Sequence, residues 1–182
     1  MSELRWDKIS SRYLVREKWA TLRVDTCKMP DGTLVDDYYV LEYPDWVNAV
    51  AFTEDDRILL IRQYRHGAED VFLEIPGGCI DEGETPEEAV VRELLEETGY
   101  AFDSIEKVGQ VYANPSTAAN LTHAFVLRGG KKVQEQHLDG REEIEVLTVS
   151  VSELKELLLN NEIKQALHVS SIFFALARLG KL

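Results

Sequence analysis

The chain has 182 residues, of which 45% are hydrophobic and 29% charged, so it has the length and composition of one ordinary folded domain. Its 33 acidic side chains against 20 Lys and Arg give a net charge of −13. Such a charge excludes nucleic-acid polymers and anionic membranes as partners, because binding them requires clustered basic side chains.

Cellular location is predicted from what the sequence lacks. No apolar run approaches the roughly 20 residues of a membrane span. Residues 1–8 are polar and lack the apolar segment of a secretory signal. Two cysteines, Cys27 and Cys79, are too few for a disulfide framework and are expected to be reduced thiols. A cytoplasmic location is therefore expected.

The first part of the chain alternates apolar and polar residues in segments that predict β-strands. Pro30-Asp31-Gly32 is a strong turn signal between the first two segments. The polar stretch 53–56 separates a second pair, and a short apolar segment ends at Pro76-Gly77-Gly78. The predicted strands are 19–29, 33–43, 46–52, 57–64 and 71–73.

A helix is predicted to begin after Thr85 and to end at Gly99. Thr85 is a good N-cap, Pro86 suits the first helical position, and Glu88 completes the spacing of a capping box. Gly99 is the residue type that most often ends a helix. Apolar residues recur at helical spacing between these ends, which predicts a buried stripe made of Ala89, Val90, Leu94 and Leu95.

The remainder of the chain predicts three more strands and two helices. The strands are expected near 105–112, 121–127 and 144–149, and the helices over 151–159 and 163–179. Many strands around one capped internal helix, followed by terminal helices, favour an α+β sandwich over a regular βαβ array.

Four carboxylates concentrate around the capped helix. Glu93 and Glu97 are four residues apart and share one helical face, which Glu96 and Glu84 adjoin. Like charges at this spacing destabilise an isolated helix by roughly a few tenths of a kcal/mol each. The spacing alone leaves two interpretations open: a solvated acidic face, or a site for a hard divalent cation such as Mg²⁺, which takes oxygen ligands and bridges to phosphates.

Fixed Gly and Arg positions around these acids favour the second interpretation. The segment reads Gly78, five residues, Glu84, seven residues, and then Arg92-Glu93-Leu94-Leu95-Glu96-Glu97-Thr98-Gly99-Tyr100. It resembles the Nudix box, G-x5-E-x7-R-E-U-x-E-E-x-G-U with U a bulky apolar residue, at every defined position. The resemblance implies an α/β/α sandwich with a mixed β-sheet over residues 46–182, preceded by an antiparallel strand region over 1–45.

The resemblance also implies a chemistry, the hydrolysis of a nucleoside diphosphate derivative to a nucleoside monophosphate and a second phosphate. Arg92 and Glu96 are expected to take part in catalysis, and Glu84 is expected to support the site through water or Arg92. The acidic face is expected to be exposed, so that Glu97→Gln would preserve the fold and abolish most turnover. The expected ligands of Mg²⁺, or of Mn²⁺ as a substitute, are the Gly77 carbonyl, Glu93, Glu96 and Glu97.

Residues outside the box are similar to the ADP-ribose and nucleoside diphosphate sugar pyrophosphatase branch of this family. Pro115 follows the last glycine of the box by sixteen residues, near the offset of a proline in that branch. Arg65 stands where relatives place a substrate-contacting arginine, whose guanidinium suits two diphosphate oxygens, and Arg62 is the alternative. The expected substrate-binding residues are Arg65, Trp46 and Pro115, with Tyr43 and Tyr39 as further candidates for stacking on the base.

Two positions depart from the relatives specific for ADP-ribose. Asn120 falls where they often carry an acid, and Gly140 falls where some place a catalytic glutamate in a late loop. A neighbouring acid would have to act as the base, either Asp139, Glu142 or Glu143, and Glu142 is preferred on reach. A broad nucleoside diphosphate sugar preference, including GDP-mannose and ADP-ribose, is therefore expected.

Other functions remain open at this point. The chain could hydrolyse another linear diphosphate, such as a dinucleoside polyphosphate or NADH. A non-catalytic metabolite sensor is disfavoured because all acids of the box are present. By analogy with the family, the N-terminal strand region is expected to form a homodimer.

Overall fold

The computed structural model describes residues 4–140 and 142–182, and the chain forms two compact units. The first consists of the segment that ends at Pro44 together with Tyr112–Leu121. The second consists of Asp45–Val111 together with Thr122–Leu182. No helix in the described part of the chain is long and apolar enough to cross a membrane.

The first unit contains a three-stranded antiparallel sheet in the order β1-β2-β3. The strands are β1 (Asp7–Glu17), β2 (Ala20–Lys28) and β3 (Leu34–Glu42). The sequence predicted β2 and β3 but not β1, in which every residue is exposed. Because neither face of β1 is covered within this unit, its sequence has no alternation that would mark a buried side.

The loop that carries Pro115 is attached to β3 of the same unit. The Tyr38 hydroxyl donates to the Ser116 carbonyl at 2.9 Å, and the Leu41 amide donates to the Thr117 carbonyl at 2.7 Å. Leu41 also forms a parallel bridge with Ala118. These bonds hold the Pro115 loop against the N-terminal sheet. Tyr38 and Ser116, the first bonded pair, are 78 residues apart in sequence.

The second unit is built on a mixed sheet, as expected. Within the described residues this sheet has seven strands in the order β10-β5-β4-β9-β7, with β6 paired to β5 and β8 to β9. Strands β4 and β9 are parallel, whereas β5 pairs antiparallel with β4, β6 and β10. The strands are β4 (Trp46–Thr53), β5 (Ile58–Arg65), β6 (Asp70–Glu74), β7 (Tyr100–Ala101), β8 (Ser104–Tyr112), β9 (Leu121–Lys132) and β10 (Ile144–Val149).

Helices cover both faces of this sheet, which confirms the predicted α/β/α sandwich. Alternate residues of β4 point to opposite faces. Val47, Ala49 and Ala51 pack in the core with helix α1 (Pro86–Thr98), while Val50 and Phe52 pack with α2 (Val151–Leu159) and α3 (Ala166–Arg178). Helix α1 has the predicted capping box and a left-handed C-cap at Gly99.

Helix α3 begins later than predicted. The sequence placed its start at Ile163, but the helix begins at Ala166 because the Gln165 side chain accepts hydrogen bonds from the amides of Leu167 and His168. Ile163 is buried in the core although it lies outside the helix. Its apolar character therefore reflects burial and not helical periodicity.

We expect buried His168 on α3 to lower the stability of the fold in acid. Its Nδ1 accepts the Ile75 amide at 3.2 Å, and burial lowers the pKa of this histidine from 6.5 to about 4. The contribution is complete above pH 6.5 and is lost as the pH falls through about 4, because only the unfolded chain then binds the proton readily. The predicted loss is about 3 kcal/mol.

This prediction can be checked by NMR titration of the His168 imidazole. A midpoint near that of an ordinary histidine would contradict it. The free energy of unfolding of His168→Gln, measured over the same pH range, is expected to fall less than that of the wild type.

Candidate active site

One acidic residue of helix α1, Glu97, is buried, although other acids of this helix are exposed to solvent. Three residues of its predicted apolar stripe, Ala89, Val90 and Leu94, are fully buried against the sheet, whereas Leu95 is only half-buried. Glu97 lies at the edge of this stripe and is only 5% exposed. The expectation that the acidic face is exposed was therefore wrong for Glu97, because a residue three positions after Leu94 remains on the packed side of the helix.

Arg92 organises the other acids of the box. Its Nε and Nη2 donate to the two oxygens of Glu84, each at 2.9 Å, and its Nη1 donates to Glu93 at 2.9 Å and to Glu96 at 3.2 Å. Nη2 also donates to the Cys79 carbonyl at 2.9 Å. Bonds to Glu84, then to Glu93, raise the pKa of Arg92 further, and Arg92 lowers the pKa of Glu84. Arg92 therefore orients carboxylates and has no nitrogen left without a partner.

Glu97 is held against the turn that precedes the box. The Gly77 amide donates to Glu97 Oε2 at 2.8 Å. Burial, and then the negative charges of Glu93 and Glu142, raise the pKa of Glu97 well above its usual value. Burial, and then Glu96 and Glu142, also raise the pKa of Glu93 against the effect of Arg92. These carboxylates therefore lie close enough to destabilise one another when charged.

The lack of a side chain at Gly77 allows this turn to lie close to strand β4. Its φ of +153° and a Cβ position 2.2 Å from the Val47 carbonyl oxygen make a side chain here incompatible with strand β4. The neighbouring carbonyls, those of Pro76 and Gly78, accept the amides of Ala49 and Val47. In the described part of the chain no donor is bonded to the Gly77 carbonyl, so this oxygen is available to a ligand.

The residues present fit a divalent cation. They offer hard oxygen donors only, the carboxylates of Glu93, Glu96 and Glu97 and the Gly77 carbonyl, which is the donor type that Mg²⁺ prefers. A positive ion would also relieve the repulsion that raises the pKa of Glu97 and Glu93. Among residues 4–140 and 142–182, no three His, Cys, Asp or Glu side chains already stand in a metal-holding arrangement. Arg92 bonds one oxygen of Glu93 and one oxygen of Glu96.

Arg65 reaches the same region from strand β5. Its Nε and Nη2 donate to Glu74, which is fully buried, at 3.1 and 2.5 Å, while the Arg65 side chain is 43% exposed. The positive charge of Arg65 lowers the pKa of Glu97, opposing its burial. Arg62, the alternative, forms an exposed ion pair with Glu145 on the neighbouring strand. Of the two arginines, Arg65 is the one placed beside the box.

Glu74 was not identified from the sequence. A single acid between Leu73 and Ile75 in a short apolar strand was the available signal, because a charge in a buried strand requires a partner. The partner, Arg65, is nine residues away. Pairing with Glu74 fixes one edge of the guanidinium, and among residues 4–140 and 142–182 nothing is hydrogen-bonded to Nη1.

The remaining predicted residues lie in different places. Trp46 is half-buried at the start of β4 and forms a bridge with Cys79. Pro115, Tyr39 and Tyr43 belong to the first unit, where Pro115 lines a cavity of about 590 Å³. Asn120 is buried in that unit and donates to the Pro44 carbonyl at 3.2 Å.

Glu142 approaches the box from the loop after β9. Its amide donates to the Asp139 carbonyl at 2.9 Å, and its carboxylate accepts the Asp139 amide at 3.2 Å. Its negative charge raises the pKa of both Glu93 and Glu97. Asp139 and Glu143, the other two candidates for the base, are exposed.

Comparison with known proteins places this geometry in a family. The NUDIX domain model matches residues 42–169, and the nucleoside diphosphate sugar hydrolase N-terminal domain matches residues 6–41. The chain is 29% identical over 167 residues to an ADP-ribose pyrophosphatase of Bacillus subtilis (strain 168), covering 91% of this chain and 90% of that protein. It is 33% identical over 121 residues to a GDP-mannose pyrophosphatase of Cronobacter sakazakii (strain ATCC BAA-894), covering 62% and 63% respectively.

A solved structure described as an ADP compounds hydrolase superposes on the whole chain with a TM-score of 0.86 at 23% identity. This similarity supports the fold, and the family is supported by the NUDIX model, which spans well over half of the chain. Proteins of this family generally require a divalent metal. The arrangement of Arg92 among the acids of α1 is thus a Nudix box in its folded form, and the chain belongs to the Nudix hydrolase family.

Proposed function

We propose that the chain hydrolyses the diphosphate linkage of nucleoside diphosphate sugars of the ADP-ribose and GDP-mannose type. The products are a nucleoside monophosphate and a sugar phosphate. One observation carries the proposal: a complete box on α1 occurs together with an N-terminal segment that matches the domain found in nucleoside diphosphate sugar hydrolases. Relatives named ADP-ribose pyrophosphatase and GDP-mannose pyrophosphatase support the same substrate class.

Mg²⁺ is the proposed cofactor, with Mn²⁺ as a substitute, held by Glu93, Glu96, Glu97 and the Gly77 carbonyl. When bound, it neutralises the diphosphate and lowers the pKa of an attacking water. Arg92 holds the carboxylates together around its guanidinium and orients them through its bonds to Glu84, Glu93 and Glu96. These tasks are positioning and charge stabilisation, which phosphoryl transfer chiefly needs.

Residues around the box would handle the substrate and the proton. Arg65, fixed along one edge by Glu74, would donate its free Nη1 to a diphosphate oxygen. Glu142 would accept the proton of the attacking water, since its carboxylate is near Glu93 and Glu97. Trp46 and Pro115 remain proposed contacts of the nucleoside. The two free cysteines, Cys27 and Cys79, agree with a proposed cytoplasmic location.

Product analysis by mass spectrometry tests the proposed function. The purified protein would be incubated with Mg²⁺ and a mixture of ADP-ribose, GDP-mannose, UDP-glucose, NADH and a dinucleoside polyphosphate, with EDTA as the control. Metal-dependent formation of a nucleoside monophosphate and a sugar phosphate is expected. If every nucleotide sugar stayed intact while NADH or the polyphosphate was cleaved, the substrate class would be wrong, and no cleavage at all would favour a metabolite sensor.

We also propose that two copies of the chain associate through β1. This strand forms one edge of its sheet, and all of its residues are exposed, including Ile9, Tyr13, Leu14 and Val15. An exposed edge with apolar side chains favours pairing with another chain.

Sedimentation velocity is expected to give the mass of a dimer, and Leu14→Lys is expected to shift it toward one chain. Leu159→Lys, at another exposed leucine, is the control, and a wild-type mass of one chain at every concentration would refute the proposal.

A further inference from the structure

The loop that carries the proposed base also closes the end of the catalytic helix. We define this base-bearing loop as residues 133–140 together with 142 and 143. The amides of Val133 and His137 donate to the carbonyls of Gly99 and Glu96, each at 2.9 Å. The last carbonyls of a helix lack partners inside it, so this loop satisfies part of the C-terminus of α1. The acids on the loop are thereby linked to the acids on the helix.

Gly99 permits this close contact. It adopts a φ of +76°, and a Cβ at this position would lie 2.2 Å from the Gln134 carbonyl oxygen. The glycine is therefore needed both for the left-handed end of α1 and for the approach of the loop. The contact shows that the base-bearing loop packs against α1 through its backbone.

One side chain of the loop joins the helix to strand β10. The Gln136 amide nitrogen donates to the Glu97 carbonyl at 2.6 Å and to the Ile144 carbonyl at 3.1 Å. A carboxamide carries two N–H donors, so both bonds can form at once. Glu97 is a proposed metal ligand, and Ile144 is the first residue of β10, two positions after Glu142. Gln136 is half-buried between them.

We propose that Gln136 is a positioning residue that holds Glu142 in reach of Glu93 and Glu97. This inference rests on the proposed function, since it assigns Gln136 a role in that reaction. Gln136 fixes the loop on the helix side through the backbone of Glu97 and on the strand side through Ile144. Without these bonds the loop samples more conformations, and Glu142 spends less time where it can accept a proton. The Gln136 side chain bonds the backbone carbonyls of Glu97 and Ile144 and not the proposed diphosphate-binding residue Arg65, so the effect is expected on kcat and not on KM.

Gln136→Leu removes both bonds and keeps the approximate volume of the side chain. We expect kcat for the best nucleotide sugar to fall by roughly 10- to 100-fold, the range for residues that orient ligands, with KM almost unchanged. Gln134→Leu is the matched control, because Gln134 is exposed in the same loop and its side chain makes no hydrogen bond in the described part of the chain. Equal kinetics of the two variants would overturn the proposal.

A double-mutant cycle identifies the residue through which Gln136 acts. Glu142→Gln alone is expected to reduce turnover, and adding Gln136→Leu to it is expected to reduce turnover little further, because the group being positioned is already inactive. Independent, multiplicative losses would show that Gln136 acts elsewhere and would refute the proposal. Full activity of Glu142→Gln would refute it as well.

Hydrogen exchange tests, without relying on activity, whether Gln136 holds the base-bearing loop against α1. In Gln136→Leu the amides of Val133 and His137, which bond to α1, are expected to exchange faster, while that of Leu94 stays protected. Unchanged exchange at Val133 and His137 would overturn the inference even if turnover fell. If the wild-type protein cleaves no nucleotide sugar, the proposed function fails, and the exchange measurement still decides whether Gln136 holds the loop.

Discussion

Glu97→Gln is expected to lower kcat by at least roughly 10³-fold, about 4 kcal/mol of transition-state stabilisation. The substitution replaces an anionic oxygen with a neutral amide at the most buried acid of the box. It also weakens the hydrogen bond from the Gly77 amide, which now reaches a carbonyl oxygen instead of a carboxylate. The measurement is steady-state kinetics with a nucleotide sugar over a range of Mg²⁺ concentrations.

The same variant is expected to be more stable than the wild type when metal is removed. Because burial raises the pKa of Glu97, its charged form destabilises the fold, and wild-type stability is lost as the pH rises above the unfolded value of about 4.5. Gln carries no such charge. In EDTA at alkaline pH, thermal unfolding of Glu97→Gln should therefore occur at a higher temperature. Added Mg²⁺ should stabilise the wild type and not the variant.

Glu87→Gln is the control for this experiment, because Glu87 is an exposed acid in the first turn of the same helix. Its kinetics and metal response should match those of the wild type. Activity of Glu97→Gln with unchanged dependence on Mg²⁺ would remove Glu97 from the proposed metal site. Destabilisation of Glu97→Gln in EDTA would show that its buried charge is already compensated within the protein.

Gly77→Ala is expected to destabilise the fold by roughly 2 to 4 kcal/mol, the sum of backbone strain and overpacking. The added Cβ would lie 2.2 Å from the Val47 carbonyl oxygen and 2.6 Å from the Asn48 Cα, both backbone atoms of a central strand. Neither can move without disturbing β4. Urea unfolding gives the free energy, and turnover of the folded fraction should also fall, because the Gly77 carbonyl is a proposed ligand.

Two other glycines separate the causes of this effect. Gly83 has a φ of +86° with open space around its Cβ position, so Gly83→Ala measures backbone strain alone, about 1 kcal/mol. Gly140 has no atom of the described residues within 4 Å of its Cβ position and no positive φ, so Gly140→Ala should change stability little. If Gly77→Ala cost no more than Gly83→Ala, the close approach of the turn to β4 would be disproved.

Helix α1 shows how far local patterns predict this fold. Its cap at Thr85, its first residue and its end at Gly99 were all predicted, because each depends on neighbours within a few positions. Strand β1 was missed because no side of it is buried, and α3 began after Ile163 because a buried apolar residue does not have to be helical. The spacing of apolar residues indicates which residues are buried. It predicts a helix or strand only where the buried residues belong to that helix or strand.

The family, the box and its proposed chemistry follow from residues close together in the chain. The burial, charge and hydrogen-bond partners of each acid do not follow from such local patterns. Buried Glu97 accepts a hydrogen bond from the Gly77 amide, 20 residues away in sequence. Glu74 orients Arg65, and the Gln136 side chain bonds the Glu97 carbonyl across 39 residues. Such contacts depend on how β4, β5 and the base-bearing loop pack around α1, and side-chain spacing along one element carries no information on that packing. A pattern of residues therefore identifies the reacting groups, whereas burial, charge and mutual distance arise only when the sheet and helices come together.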